Sequence, residues 1–348
     1  MALFHKKVLV MVFSLAIAAA FLLTVSPQVF SADKPIEWNV SLWGGKRAWT
    51  GPLHEWAADM EKKTDGKWKI KLHYGGVLAP PKENFDGLRA GMFEAAGICA
   101  AYTPGKNPLH TVGELPFIAP NETVDIIRLM IEVWKLPAMK KELLKWNAVP
   151  LLPSALPQYH LMGNKAVRTV KDLDGARIRI GGEIAKVLKE FGAVPTLVPA
   201  PEVYEAVSRG TLDLVGFPWT YSYGSYKTYE VSKYVSLPLS LGTMSCYYIA
   251  NKNAWEALPE AFKKYHMEWY DKAPEIWAAE FKKADDKWIP EFKKKLEFID
   301  FPASERNKLV AKAEAVYNKW VKAREKEGLP GKEVLDYYIK KRKEITGK

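Results

Sequence analysis

Residues 84–98 read NFDGLRAGMFEAAGI, and residues 203–217 read VYEAVSRGTLDLVGF. Each stretch reads as a helix that runs out at a glycine, Gly91 or Gly210, where a left-handed cap needs no Cβ. Each then passes an acidic residue, Glu94 or Asp213, into a short apolar strand. Identities between the two are few. The pairing gains weight because each copy sits inside its own strand-helix-strand context.

Ahead of the first copy lie a strand, Ile36–Trp43, a loop, Gly44–Arg47, and an amphipathic helix from Gly51 to about Lys63. The turn Thr64-Asp65-Gly66 stops that helix. A second strand follows, Lys67–Tyr74, with Trp68, Ile70 and Leu72 on one face and Lys67, Lys69 and Lys71 on the other. After Pro80-Pro81 the first copy supplies a helix to Gly91 and a strand, Ala95–Ala101. Ahead of the second copy come strands Tyr159–Gly163 and Ala176–Ile180, a helix Glu183–Phe191 and a strand Thr196–Val198. Strand, helix, strand in this order predicts parallel pairing with a crossover helix.

The expected fold class is therefore α/β, in two similar lobes. Lobe I is read as residues 33–156 plus about 246–275, and lobe II as 157–245. The apolar run Ser245–Ala250 is read as a strand returning to lobe I. From Pro259 to the end the chain is lysine-rich and reads as helix bracing both lobes, with Pro274 and Pro290 expected to kink or interrupt it. A cleft should form between the carboxyl ends of the strands, where open α/β sheets bind ligands. Crossings near Leu156 and Ser245 suit hinge closure around the ligand.

His5, Lys6 and Lys7 precede an apolar run from Val8 to about Val25, and Val29-Phe30-Ser31-Ala32 offers a cleavage site. Residues 1–32 are read as a cleaved signal peptide, so the mature protein is expected in the periplasm. A retained membrane anchor is the alternative. The net charge is +11. Much of the excess lies in Lys282-Lys283, Lys293-Lys294-Lys295 and Lys340-Lys341-Arg342-Lys343, read mainly as solvated helix faces that also favour anionic solutes. No nucleic-acid module accompanies it. The two cysteines, Cys99 and Cys246, each lie in an apolar strand-like run; an oxidising compartment permits a disulfide, but two buried free thiols are expected.

In several ordered stretches the chain resembles the DctP-type solute-binding subunit of tripartite ATP-independent periplasmic (TRAP) transporters. The stretches are Lys62–Lys67, Gly113–Phe117, Val170–Arg179, Gly192–Pro195 running on to Glu202–Tyr204, Leu212-Asp213 and Leu258–Glu260. The resemblance implies a two-lobed periplasmic binding protein fold (type II-like) with a hinge and a long helix spanning both lobes. It also implies closure on a small organic acid, delivery to small and large membrane permease subunits, and no catalysis.

Arg179 matches the family arginine that pairs with the ligand carboxylate, and a planar guanidinium can present two parallel N–H donors to such a group. Arg177, two residues away, should share its strand face. Tyr159 stands near a place where some members carry a second arginine. Phe217 replaces an asparagine, and Ala200 a phenylalanine, of the sialic acid binders, so sialic acid is not expected. Phe217, Trp219, Tyr221 and Tyr223 form an aromatic stripe suited to a flat or apolar ligand body, with interlobe packing as the alternative. From lobe I, Trp43, Arg47, Trp49, Tyr74 and Tyr102 fall at strand carboxyl ends. His54 and His110 are read as ordinary structural histidines. The sequence carries no zinc-site spacing, nucleophile elbow, Walker loop or dinucleotide fingerprint, so no metal, cofactor or catalytic residue is expected. A sensor that binds the same ligand, or an exported hydrolase, are the alternative readings.

Overall fold

The computed structural model describes residues 34–347. The expected leader lies outside the described residues; among these, no helix is long and apolar enough to cross a membrane. The chain begins with β1 (Ile36–Ser41), α1 (Pro52–Lys63), β2 (Trp68–His73), α2 (Asn84–Arg89) and β3 (Ala95–Cys99). It continues through α3 (Thr123–Val133), α4 (Pro137–Leu144), β4 (Ala148–Leu152), β5 (Tyr159–Gly163), β6 (Arg177–Arg179), α5 (Ile184–Lys189) and β7 (Val194–Thr196). Then come α6 (Val203–Ser208), β8 (Leu214–Pro218), α7 (Tyr221–Ser225), β9 (Tyr234–Leu237), β10 (Cys246–Asn251), α8 (Lys252–Glu256) and α9 (Glu260–Tyr270). The chain closes with α10 (Ala273–Lys295), β11 (Glu297–Asp300), α11 (Ala303–Val310), α12 (Ala313–Lys326) and α13 (Gly331–Thr346).

These strands make two sheets, β2-β1-β3-β10-β4 and β11-β9-β5-β8-β6-β7. The repeated unit occupies the same place in each. α2 and α6 end beside Gly91 and Gly210, whose φ values are +71° and +68°, as the left-handed cap requires. The strand that closes each unit pairs in parallel with the strand two before it, β3 with β1 and β8 with β6. α1 shows how local sequence sets packing. Pro52 begins it, Lys62 and Lys63 end it, and Leu53, Trp56 and Met60 are its buried face. Each sheet has its own core: Phe85, Leu88, Phe93 and Ile249 in the first, Val203, Val215, Phe217 and Val235 in the second. β10 returns to the first sheet, pairing antiparallel with β3 and β4. α10 packs on α1 and α3 of the first lobe and on α7 of the second, so it is the spanning helix.

Four expectations are corrected. Cys99 and Cys246 are joined as a disulfide and are not free thiols. They face each other at one register position of the β3–β10 ladder, which brings their Cβ atoms within bonding reach although 147 residues separate them. Pro290 does not interrupt α10. Trp288 and Phe292 flank it and pack into the second lobe's aromatic core, which offsets the lost backbone bond. The C-terminal region is not wholly helical either: β11 pairs in parallel with β9 at the edge of the second sheet, with Ile299 turned inward. The strand expected over Ala95–Ala101 also ends at Cys99, and Ala100–Tyr102 form a 3-10 turn. That turn swings Tyr102 toward the other lobe.

Candidate ligand-binding site

Between the lobes lies a narrow cavity of about 30 Å³, so a ligand would enter it only as the lobes part. Arg179, at the end of β6, forms one wall and is 4% exposed. Its Nε donates to Val198 O (2.9 Å), Nη1 to Gly216 O (3.2 Å) and Nη2 to Tyr102 Oη (3.2 Å). The guanidinium carbon lies 4.5 Å from the Phe217 ring centroid. A guanidinium has five N–H donors; three are used, which leaves one on each terminal nitrogen. Among the described residues, no carboxylate pairs with it. Arg177 differs: it is exposed and doubly bonded to Asp213, whose carboxyl it holds below the usual range. Spacing alone put both arginines on one face; only Arg179 reaches the cavity.

The opposite wall is the loop after β1. Arg47 Nη1 donates to Trp43 O (2.7 Å) and Gly45 O (2.9 Å). Its guanidinium carbon is 4.9 Å from the Trp49 ring centroid, 5.7 Å from Trp43 and 5.8 Å from Tyr226. Trp43 and Trp49 pack tilted against each other, and Trp43 meets Tyr102 edge-on. Tyr102 Oη also accepts from Ala200 N (3.2 Å), so this one phenol ties the first lobe to two points of the second. Tyr159 and Tyr221 complete the lining. Burial pushes both phenols up, opposed by Arg179 at Tyr159 and by Arg47 at Tyr221. They stay neutral and can donate.

Of the sequence-derived candidates, Trp43, Arg47, Trp49, Tyr102, Tyr159, Arg179, Phe217 and Tyr221 meet around this space. Tyr74 does not: its Oη pairs with His54 Nε2 at 2.7 Å, away from the cavity. Trp219 also lies elsewhere, packed on His160 and Phe292. The reason is secondary structure. An alternating stripe Phe217, Trp219, Tyr221, Tyr223 assumes extended chain, but from Tyr221 the chain is helical. The inward set becomes Tyr221, Ser222 and Tyr226, on helical spacing. Tyr223 turns beneath the sheet, where its Oη donates to His160 O (2.7 Å) and accepts from Phe217 N (3.0 Å). Tyr226 escaped the sequence reading. Its place as i+4 from Ser222 would have marked it had a helix been assumed. The disulfide, too, lines the cavity floor.

Behind the site, Glu114 is wholly buried at the crossing between the lobes. Its Oε1 accepts from Ala101 N (2.9 Å) and Ser245 N (3.2 Å), and its Oε2 has no partner among the described residues. Burial, with Glu183 nearby, holds this carboxyl well above its ordinary range. His110 and His54 are structural, bonded to Glu142 and Tyr74. Among the described residues, no group of histidine, cysteine and acidic side chains could hold a metal ion.

Two α/β lobes, a spanning helix and a charged aromatic cavity between them define a two-lobed solute-binding protein. The family profile for bacterial extracellular solute-binding protein, family 7 (DctP) matches residues 41–323, and the chain belongs to that family. The chain is similar to a monocarboxylate 2-oxoacid-binding periplasmic protein of Nostoc sp., 25% identical over 223 residues. That match spans 60% of this chain but only 57% of the Nostoc protein's length. Its fold is that of a marine-metagenome TRAP solute-binding protein specific for aromatic acids, solved with 3-hydroxybenzoate. The TM-score is 0.80 at 21% identity, covering 90% of this chain and 99% of that one. A Bordetella bronchiseptica TRAP solute-binding protein holding (R)- and (S)-mandelate superposes with TM-score 0.78 at 24% identity, covering 89% and 100%.

Proposed function

We propose that this chain is the periplasmic receptor of a TRAP transporter. It captures an organic acid with an aromatic or bulky apolar body between its lobes and delivers it to the small and large permease subunits. The observation that carries the reading is Arg179: a buried guanidinium with no carboxylate partner, one free N–H on each terminal nitrogen, and an aromatic lining around it. An unpaired buried charge costs several kcal/mol, and a ligand carboxylate supplies what the chain leaves out. The flat faces of Trp43, Phe217 and Tyr102 suit a ring. The aromatic acids bound by the two similar receptors agree with this, and family membership agrees with export and transport.

A thermal-shift screen tests it. Benzoate, hydroxybenzoates and mandelate are compared with succinate, malate and pyruvate. A ligand at a hundredfold excess over Kd adds about 2.7 kcal/mol of stability, and Trp43 and Trp49 should report it in fluorescence. Stabilisation by aliphatic acids alone would refute the aromatic reading; no response to any organic acid would refute the receptor reading.

A further inference from the structure

The cavity holds a second cation that a single carboxylate does not account for. Arg47 is 7% exposed, and only its Nη1 is hydrogen-bonded, to two backbone carbonyls. Its Nε and Nη2 donate to nothing among the described residues, and no acidic side chain pairs with it. None of the residues lining the cavity is Asp or Glu. Two guanidiniums, which keep their charge at any ordinary pH, therefore approach one narrow space from opposite lobes. The faces of Trp43, Trp49 and Tyr226 soften the field of Arg47 but do not neutralise it.

Two details show that this arm is built. Gly44, beside Arg47, has φ +65°, and a Cβ there would stand 2.7 Å from Tyr226 Oη and 3.2 Å from Arg47 Nη1. A glycine is needed for the loop to bring Arg47 against Tyr226. Tyr226 Oη is itself buried without a hydrogen-bond partner, although it lines the cavity. A free guanidinium edge from the first lobe and an orphan hydroxyl from the second, stacked beside Phe217, thus meet across the cavity.

We infer that Arg47, with Tyr226, takes a second anionic group, so that the preferred ligand is an aromatic ring carrying two negative groups, of the benzenedicarboxylate class. This rests on the receptor reading above: Arg179 takes one carboxylate and Arg47 the other. A monocarboxylate leaves Arg47 uncompensated in the closed form, where charge interactions are strongest.

Calorimetric titration of the full protein with benzoate and each of the three benzenedicarboxylates tests it, using wild type, Arg47→Gln, Arg47→Lys and Arg179→Ala. Circular dichroism checks folding. In wild type at least one dicarboxylate should bind tenfold or more tighter than benzoate. In Arg47→Gln that ratio should collapse to within threefold of one, and Arg47→Lys should restore part of it, because the charge is kept and the fork lost. Added salt should weaken the dicarboxylate more than benzoate. Benzoate binding as tightly as every dicarboxylate would overturn the inference. So would an Arg47→Gln variant that weakens benzoate and dicarboxylate by the same factor, the signature of a mere prop for the loop. Failure of the Arg179 anchor on which that reading rests looks different: Arg179→Ala would then leave all four affinities unchanged.

Discussion

Replacing Arg179 by alanine removes three protein hydrogen bonds and the cation over Phe217. Two effects follow and can be measured separately. In the free protein, Val198 O and Gly216 O lose a donor, which costs roughly 1–3 kcal/mol for each group that stays dry. The same change removes the cost of an unpaired buried charge, so the melting temperature without ligand should move by less than the lost hydrogen bonds alone would give. In the complex, a ligand carboxylate is left buried opposite no cation, at a cost of about 2–5 kcal/mol, or roughly 30- to 4,000-fold in Kd at 1.4 kcal/mol per decade. Arg179→Lys keeps the charge but cannot reach Val198 O, Gly216 O and Tyr102 Oη together with both ligand oxygens, so it should fall between. Calorimetric titration against the best ligand of the thermal-shift screen, with circular dichroism as a folding control, reads the result. A folded Arg179→Ala protein that binds within threefold of wild type would falsify the role given to Arg179 and shift attention to Arg47.

Two further outcomes rest on other parts of the molecule. The Cys99–Cys246 bridge closes a loop of 147 residues, worth up to roughly 5 kcal/mol by loop entropy and more commonly about 2–4. The Cys99→Ala/Cys246→Ala double variant should unfold at lower urea, and the native protein should show no reactive thiol; an unchanged midpoint contradicts this. Glu114 has its carboxyl raised in the folded state by burial, so its contribution to stability is full below the ordinary carboxyl pKa near 4.3. That contribution is lost as pH climbs toward the folded value. Glu114→Gln, which imitates the neutral acid and can keep the bonds from Ala101 N and Ser245 N, should gain melting temperature relative to wild type between pH 5 and pH 8. A difference that does not vary with pH would mean that Glu114 is not held protonated.

How much of this was legible in the residues depended on the range of the interaction. The repeated helix, glycine cap and strand were readable because each is local: a helical face, a positive φ at Gly91 and Gly210, an apolar run. β11 was not, because Glu297–Asp300 follows three lysines at the end of a helix and becomes a strand only by pairing with β9, far back in the chain. The disulfide is similar. Nothing near Cys99 points to Cys246 until the return of β10 to the first sheet sets them opposite each other. Pro290 shows the reverse: the helix runs on through it, with Trp288 and Phe292 packed on either side.

The site divides along the same line. Arg179 is marked as a candidate by its match to the family's turn-and-strand arginine, and Trp43, Arg47 and Tyr102 by their places at strand ends; all four line the cavity. Trp219 and Tyr226 exchanged roles because one turn of helix after β8 changes the period from two to nearly four. The charge balance of the cavity was not readable at all. That Asp213 holds Arg177 while Arg47 and Arg179 hold no acid is a fact about partners drawn from distant parts of the chain. It is this pairing that carries the ligand class proposed above. The fold sets two lobes around one cavity; on that proposal, the unpaired cations decide what charge a solute must bring.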